Sequence, residues 1–171
     1  MMLSILSGLF LALCVFAAMH DVNRLTIPNW LNLCLAGLFI PAAFVSGVPM
    51  EILGGHLLAA LCAFVVAFGL FAFNIFGGGD AKMIPAVMLW IGPSQALTFL
   101  AAMAIYGGFF ALLILLVRRT LPVEVLPGAV RAPFQENAGV PYGVAITAGV
   151  FAAGGGSPFL TGILNQISNF G

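Results

Sequence analysis

Charged residues are nearly absent from this chain. Only 6% of its 171 residues are Asp, Glu, Lys or Arg, and five acidic residues balance five basic ones. A protein that binds nucleic acid needs a basic surface to neutralise the phosphates. Because this chain has no such excess of positive charge, we expect no nucleic acid among its partners.

Cysteine is also scarce, and the sequence lacks motifs that hold metal ions. Cys14, Cys34 and Cys62 lie far apart within apolar runs, and neither a Cys-x-x-Cys pair nor a Cys/His cluster occurs. Structural zinc sites need closely spaced ligands of these types. We therefore expect the three cysteines to be small buried hydrophobic residues, and we expect no metal or other cofactor.

Apolar sequence is abundant instead. Hydrophobic residues make up 63% of the chain, and their runs are continuous rather than alternating. Runs of ~17–25 apolar residues cross a bilayer as helices, whereas barrel strands alternate. We predict an all-α fold, a polytopic transmembrane bundle of about six helices that forms one domain over residues 1–171. The predicted helices cover residues 3–19, 30–47, 52–75, 81–91, 95–117 and 140–153.

Two segments fall outside these helices. Residues 118–139 contain three prolines, which excludes a long helix and predicts a segment along the membrane surface. That segment is either a linker or a substrate-docking loop. Residues 157–171 carry apolar side chains at helical spacing, which predicts an amphipathic surface helix or a short seventh span.

The basic residues predict the orientation. All of them follow the first, third or fifth predicted helix: Arg24, Lys82, Arg118, Arg119 and Arg131. Short loops rich in Lys and Arg stay in the cytoplasm. We therefore expect the N-terminus outside and these loops on the cytoplasmic side.

Asp21 and Asp80 are the only aspartates, and both lie at the predicted cytoplasmic ends of apolar segments. An acidic residue near hydrocarbon is costly and often functional. Two adjacent carboxyl groups share a proton and can activate a water against a peptide bond. The pair therefore predicts an aspartic protease. Each residue also has a simpler interpretation, in which Asp21 pairs with Arg24 and Asp80 caps a helix.

The residues around the aspartates add detail. Gly77, Gly78 and Gly79 precede Asp80, and we expect them to adopt positive φ angles and to allow close backbone approach. Asn29 follows Pro28 and is predicted to cap the second helix. Lys82 contacts either lipid head groups or the site itself.

Three ordered segments resemble the type IV prepilin peptidase family of GxGD membrane aspartic proteases. They are Asp21 with Arg24 and Ile27-Pro28-Asn29, then Gly77-x-Gly79-Asp80-x-Lys82, then Pro141-Tyr142-Gly143-Val144-Ala145. A lone GxGD would be a weak match, but the order and spacing of the three segments cover nearly the whole chain.

The resemblance implies that Asp21 and Asp80 are the catalytic pair. It implies a substrate-binding or supporting role for Gly77, Gly78, Gly79, Lys82, Arg24, Pro28, Asn29, Pro141, Tyr142 and Gly143. The substrate would be a prepilin with a short basic leader, a glycine at the cut and a hydrophobic helix after it. Cleavage would occur at the cytoplasmic face of a bacterial inner membrane or an archaeal membrane, and the implied partners are the lipid bilayer and the pilus assembly machinery.

The sequence departs from larger family members in one respect. Those members carry a cytoplasmic insert near the N-terminus with paired Cys-x-x-Cys motifs, and they also methylate the new N-terminus. The first loop here is short and has no such motif. We expect no methyltransferase or zinc-binding insert. In this respect the chain resembles the minimal TadV/CpaA-like branch of the family, which serves Flp (tight-adherence) pili.

Other functions remain open at this point. Signal-peptide-peptidase and presenilin-like proteases also use GxGD, but their YD and PAL motifs are missing here. A small proton-coupled transporter would place acids near mid-membrane in symmetric halves. A noncatalytic assembly component of a pilus or secretion machine would tolerate loss of either aspartate.

Overall fold

The computed structural model describes residues 1–135 and 138–168, and within these ranges it is helical, with no strand. The predicted all-α fold is therefore confirmed. Its α-helices are α1 (Met2–Arg24), α2 (Asn29–Gly37), α3 (Phe39–Ser46), α4 (Met50–Ala72), α5 (Gly78–Ile91), α6 (Ala96–Thr120), α7 (Tyr142–Gly154) and α8 (Thr161–Ser168).

Four helical segments of the described chain are long and apolar enough to cross a membrane. They are Met2–Arg24, Asn29–Ser46, Met50–Ala72 and Pro93–Thr120. The helices α5 and α7 have 14 and 13 residues, which corresponds to ~20 Å at 1.5 Å per residue. That length is less than the ~30 Å of the hydrocarbon core. The chain is a multi-pass membrane protein in which two short helices pack among longer ones.

The helix predicted over 30–47 is divided in two at Leu38. The cause is Pro41, which has no N–H to donate to the carbonyl of Gly37 one turn earlier. The flanking bonds persist, because Leu38 N–H donates to Cys34 O at 2.9 Å and Ala42 N–H donates to Leu38 O at 3.3 Å. The two pieces therefore form one bent segment.

Two helix ends differ from the prediction in a way that affects the aspartates. The helix α1 continues past residue 19 to Arg24, and it ends where Leu25 adopts a left-handed φ of 52°. The helix α5 begins at Gly78 rather than at residue 81. Asp21 and Asp80 therefore lie inside helical turns and not in loops.

The helix α5 is the centre of the bundle and packs against α2, α4 and α7, while α7 also contacts α1 and α6. Trp90 of α5 is fully buried and stacks on Phe10 with ring centroids 4.3 Å apart. Its indole N–H donates to Leu35 O at 2.9 Å. One side chain thus joins α5 to α1 and α2.

The C-terminal segment is anchored by residues that precede α8. Phe159 and Leu160 are buried in the core, and the Ser7 hydroxyl donates to Phe159 O at 2.5 Å. The helix α8 lies at the surface and has only eight residues, so the alternative of a seventh span is wrong. The last predicted residues, 169–171, lie outside the described ranges.

Only Cys14 is buried; Cys34 and Cys62 are exposed on the outside of the bundle. The expectation of three buried cysteines is therefore wrong for two of them. The reason is that lipid-facing positions are as apolar as core positions in a membrane protein, so an apolar run does not separate the two.

The segment after α6 is irregular, as its prolines predict. It contains three short 3₁₀ turns, Val123–Val125, Gly128–Val130 and Ala132–Phe134. The Arg118 guanidinium donates to Pro133 O and, at 2.7 Å, to Ala138 O. These bonds hold the end of the segment close to α6. Glu136 and Asn137 lie outside the described ranges.

Candidate active site

Asp21 is buried in the last turn of α1, with 5% of its surface exposed. Its Oδ2 accepts a hydrogen bond of 2.8 Å from the backbone N–H of Gly143. Gly143 lies in the first turn of α7, where N–H groups have no partner within the helix. The third sequence segment is therefore in direct contact with the first.

Gly143 is where α7 approaches α1 most closely at the site. A Cβ at this position would lie 3.0 Å from both Cβ and Oδ2 of Asp21, and 3.3 Å from Cδ1 of Ile27. Contacts this short are tighter than packed side chains normally adopt, so a methyl group here would push α1 and α7 apart by a few tenths of an ångström. The hydrogen bond to Asp21 thus depends on the absence of a side chain at residue 143.

Asp80 is half-buried in the first turn of α5. The N-cap of that helix is Gly77, so the alternative that Asp80 caps the helix is wrong. Its carboxylate turns back towards the N-cap residue, as a side chain at the third helical position commonly does. A Cβ at Gly77 would lie 2.9 Å from Oδ2 of Asp80.

The structure brings the two aspartates to the same end of the bundle. Ile27, six residues after Asp21, packs against Gly79, which directly precedes Asp80. Arg24 is exposed at the end of α1, where it lines a surface hollow with Phe16 and Asn23. The alternative in which Asp21 pairs with Arg24 is therefore not what the structure shows.

Ile27 lies between the two aspartate-bearing segments and is buried. A Cβ at Gly79 would lie 3.0 Å from Cβ of Ile27 and 3.1 Å from its backbone nitrogen. On its other side, Cδ1 of Ile27 reaches Gly143. The spacing between the Asp21 and Asp80 sides of the site is thus set partly by Ile27.

The expectation of positive φ angles at Gly77, Gly78 and Gly79 is wrong. In the described ranges the glycines with positive φ are Gly47 and Gly92, and the left-handed residue before the glycine-rich segment is Asn74, with a φ of 56°. The second part of the expectation, close approach, is confirmed. Besides the contacts of Gly77 and Gly79, a Cβ at Gly78 would lie 3.3 Å from the ring of Phe71.

Asn32 belongs to the site, and the sequence reasoning missed it. It is 6% exposed, and its Nδ2 donates to Gly79 O at 3.2 Å. Its Oδ1 has no hydrogen-bond partner within the described residues. The available signal was a polar amide in the first turn of an otherwise apolar helix, which is unusual enough to indicate a role.

Lys82 and Asn29 form a separate contact on the outside of the site. The Lys82 ammonium donates to Asn29 Oδ1 at 2.8 Å, and both side chains are exposed. The prediction that Asn29 caps the second helix is wrong, because the N-cap is Pro28, at φ −62° and ψ 143°. Asn29 instead links the start of α2 to α5.

Tyr142 and Pro141 connect α7 to the glycine-rich segment. Pro141 is buried, and Tyr142 is the first residue of α7. The Tyr142 ring lies 5.8 Å from that of Phe76, which directly precedes Gly77. All three sequence segments therefore meet at one end of the bundle, with Arg24 and Lys82 at its exposed edge.

Within the described part of the chain, no group of three or more His, Cys, Asp or Glu side chains gathers in the geometry of a metal site. The chemistry that the site offers is that of two carboxyl groups, backbone N–H groups and one buried amide.

Residues 8–112 match the model of a family described as the type IV leader peptidase family. The matched range contains both aspartates, the glycine-rich segment and Asn32, whereas Gly143 lies beyond it. No curated protein and no solved structure matches the chain.

Proposed function

The chain belongs to the type IV leader peptidase family, and from this membership we propose that it cleaves prepilin leader peptides with Asp21 and Asp80 as its catalytic pair. The enzyme class is that of the family, a prepilin peptidase of the aspartic type. The observation that supports the catalytic assignment is that the only two aspartates of the chain lie at the same end of the bundle, where Ile27 packs against both Gly79, next to Asp80, and Gly143, which binds Asp21.

The proposed mechanism is hydrolysis by a pair that shares one proton. Two carboxyl groups in a poorly solvated site do not both ionise. The ionised group takes a proton from a water as the water oxygen attacks the scissile carbonyl carbon. The protonated group donates to the carbonyl oxygen, and the C–N bond breaks as the amine takes up a proton. The products are the leader with a new carboxyl group and the pilin with a new amine.

Gly143 has a supporting role in this proposal. Its N–H donates a hydrogen bond to Oδ2 of Asp21. We therefore expect the other oxygen of that carboxylate to contact the attacking water. The Asp80 carboxylate lies against Gly77, the N-cap of α5. The Asp21 carboxyl group is thus oriented before substrate binds, which lowers the reorganisation needed in the reaction.

The substrate we propose is a prepilin of the Flp type, with a basic leader and a hydrophobic helix after the cut. The residues that connect α1 to α2 are 25–28 only, so this connection has no room for a folded insert. We therefore propose peptide hydrolysis without methyl transfer, in one membrane domain. Cleavage at the cytoplasmic face of a bacterial inner membrane is proposed from the positions of the basic residues.

The test is co-expression with a Flp-type prepilin, followed by gel mobility and mass measurement of the product. Wild type, Asp21→Asn and Asp80→Asn are compared with Glu51→Gln. Glu51 serves as the matched control. It is an acidic residue at the N-terminal end of α4, whereas Asp80 follows the C-terminal end of that helix. We expect wild type and Glu51→Gln to shorten the prepilin, and both Asn variants to accumulate in the membrane without cleaving it.

Two outcomes would contradict the proposal. If either Asn variant cut at the wild-type rate, the two-carboxyl mechanism would be wrong. If wild type cut no prepilin while the protein accumulated normally, the transporter or assembly function would replace the peptidase function.

A further inference from the structure

An apolar groove runs along the outside of the bundle between α4 and α6, and α5 forms its floor. Its volume is about 600 Å³. On the α4 side the groove wall includes Gly55, Ala59, Ala63 and Ala67. These residues recur at every fourth position and therefore share one face of the helix. Small residues at this spacing allow the backbone of another helix to approach closely.

The floor of the groove is continuous with the candidate active site. Ile84 and Met88 of α5 line it, and they follow Asp80 by four and eight residues, so they lie on the same face of α5 as Asp80. At the end of α5 that carries Asp80, the groove is lined by Phe76. Phe76 directly precedes Gly77, which lies against the Asp80 carboxylate. A helix in this groove would therefore lead to Asp80.

Two other grooves on the bundle do not have this relation to Asp80. One is lined by Lys82, Pro85 and Leu89, which lie on a different face of α5. The other lies along α1, α6 and α7 and includes Met19 and Phe109. Only the first of the three grooves follows the Asp80 face of α5.

The dimensions of the groove suit a helix. From Gly55 to Leu70 the α4 wall rises ~22 Å, at 1.5 Å per residue. That length corresponds to about four turns of an apolar helix within the hydrocarbon core.

We infer that this groove binds the hydrophobic helix that follows the cleavage site of the prepilin, with the scissile bond at the Phe76 end. The inference rests on the proposed function, because it takes the prepilin as substrate. The helix lies along α5 between α4 and α6, and the leader extends past Asp80 towards the polar side. The groove thus fixes the distance between the membrane-embedded helix and the bond that is cut.

Native cysteines provide the test. Cys62 lines the groove, whereas Cys34 is exposed on α2 outside it. Single cysteines are placed at successive positions of the prepilin helix and oxidised with copper–phenanthroline in membranes that contain the Asp80→Asn enzyme. We expect a disulfide with Cys62 at one prepilin position, or at two positions three or four residues apart, because a disulfide needs close Cα atoms. The disulfide is lost in Cys62→Ser, but not in Cys34→Ser.

Activity gives a second readout in the otherwise wild-type enzyme. Ala63→Trp fills the groove, and Ala101→Trp adds the same bulk on the exposed face of α6 away from the residues that line it. We expect Ala63→Trp to raise the KM for the prepilin at least tenfold and Ala101→Trp to leave it unchanged. Cleavage of a soluble peptide that lacks the hydrophobic helix is expected to be insensitive to both changes.

The outcomes separate the inference from the proposed function. If wild type cuts the prepilin but Cys62 forms no disulfide, or forms one equally at all positions, lipid covers the groove and the inference is overturned. If Cys62 forms the position-specific disulfide although wild type cuts nothing, the helix-binding groove is supported and the peptidase proposal is overturned.

Discussion

The carboxylate of Asp21 accepts a hydrogen bond from the backbone N–H of Gly143 at 2.8 Å, although 122 residues separate them in the chain. This bond connects the last turn of α1 to the first turn of α7. It gives a reason for the glycine after Pro141 and Tyr142, because the N–H must reach a buried carboxylate and a Cβ would crowd that carboxylate.

We expect Gly143→Ala to reduce prepilin cleavage at least tenfold. The new methyl group would lie 3.0 Å from Asp21 Cβ and Oδ2, so α7 must move away and the hydrogen bond must lengthen. The control is Gly155→Ala at the other end of α7, where nothing lies within 4 Å of a new Cβ. The initial rates of prepilin cleavage by the two variants are measured in detergent or in membranes. Equal rates for the two variants would show that the approach of α7 to Asp21 does not matter for catalysis.

We expect Gly79→Ala to abolish cleavage without rescue by Ile27→Ala. The new Cβ meets the Cβ and the backbone nitrogen of Ile27, and Ala at residue 27 retains both atoms. Gly69→Ala in α4 is the matched control, since its surroundings are open. Cleavage by the double variant at the wild-type rate would show that the contact is soft and that Ile27 does not set the spacing of the site.

Asn32→Ala removes the hydrogen bond to Gly79 O, and we expect it to lower kcat more than it changes KM. A buried carbonyl without its donor costs about 1–3 kcal/mol, which corresponds to a ~5- to 160-fold decrease in rate if the cost falls on the catalytic geometry. Asn23→Ala is the control, because Asn23 makes the same type of bond to Met19 O but at an exposed position. A large rise in KM at constant kcat would instead place Asn32 in substrate binding.

Arg118→Ala should loosen the segment between α6 and α7. Its guanidinium donates hydrogen bonds to Pro133 O and Ala138 O, and Ala138 lies a few residues before Gly143. We expect faster proteolysis within residues 121–139 and a several-fold lower cleavage rate. The neighbouring Arg119 is exposed, so Arg119→Ala serves as the control. Identical digestion of the two variants would contradict an anchoring role for Arg118.

The motif residues were identifiable from the sequence because their types are rare in this composition. Asp21, Asp80 and the glycine-rich segment were found in this way, and the structure brings all three together. Asn32 was missed because it carries no charge and adjoins no motif glycine in the sequence. Its partner, Gly79, lies 47 residues away, and only the packing of α2 on α5 brings them together.

Local details were predicted less well, for physical reasons that the sequence does not display. The helix α1 extends past residue 19 because contacts with α7 stabilise polar residues in its last turn. Asn29 does not cap α2; its side-chain oxygen instead accepts a hydrogen bond from Lys82 of another helix. The glycines have ordinary φ angles because their role is to allow close contacts rather than to form a turn.

The sequence by itself determined that this protein is a helical membrane protein with two significant aspartates, since composition and long apolar runs leave few other ways to satisfy the backbone in lipid. The tertiary structure decided which groups surround those aspartates, namely the Gly143 N–H, the Ile27 side chain and the Asn32 amide. It also decided which apolar faces are core and which form grooves. Those choices depend on how the helices pack, and lipid-facing and buried positions look alike in an apolar sequence.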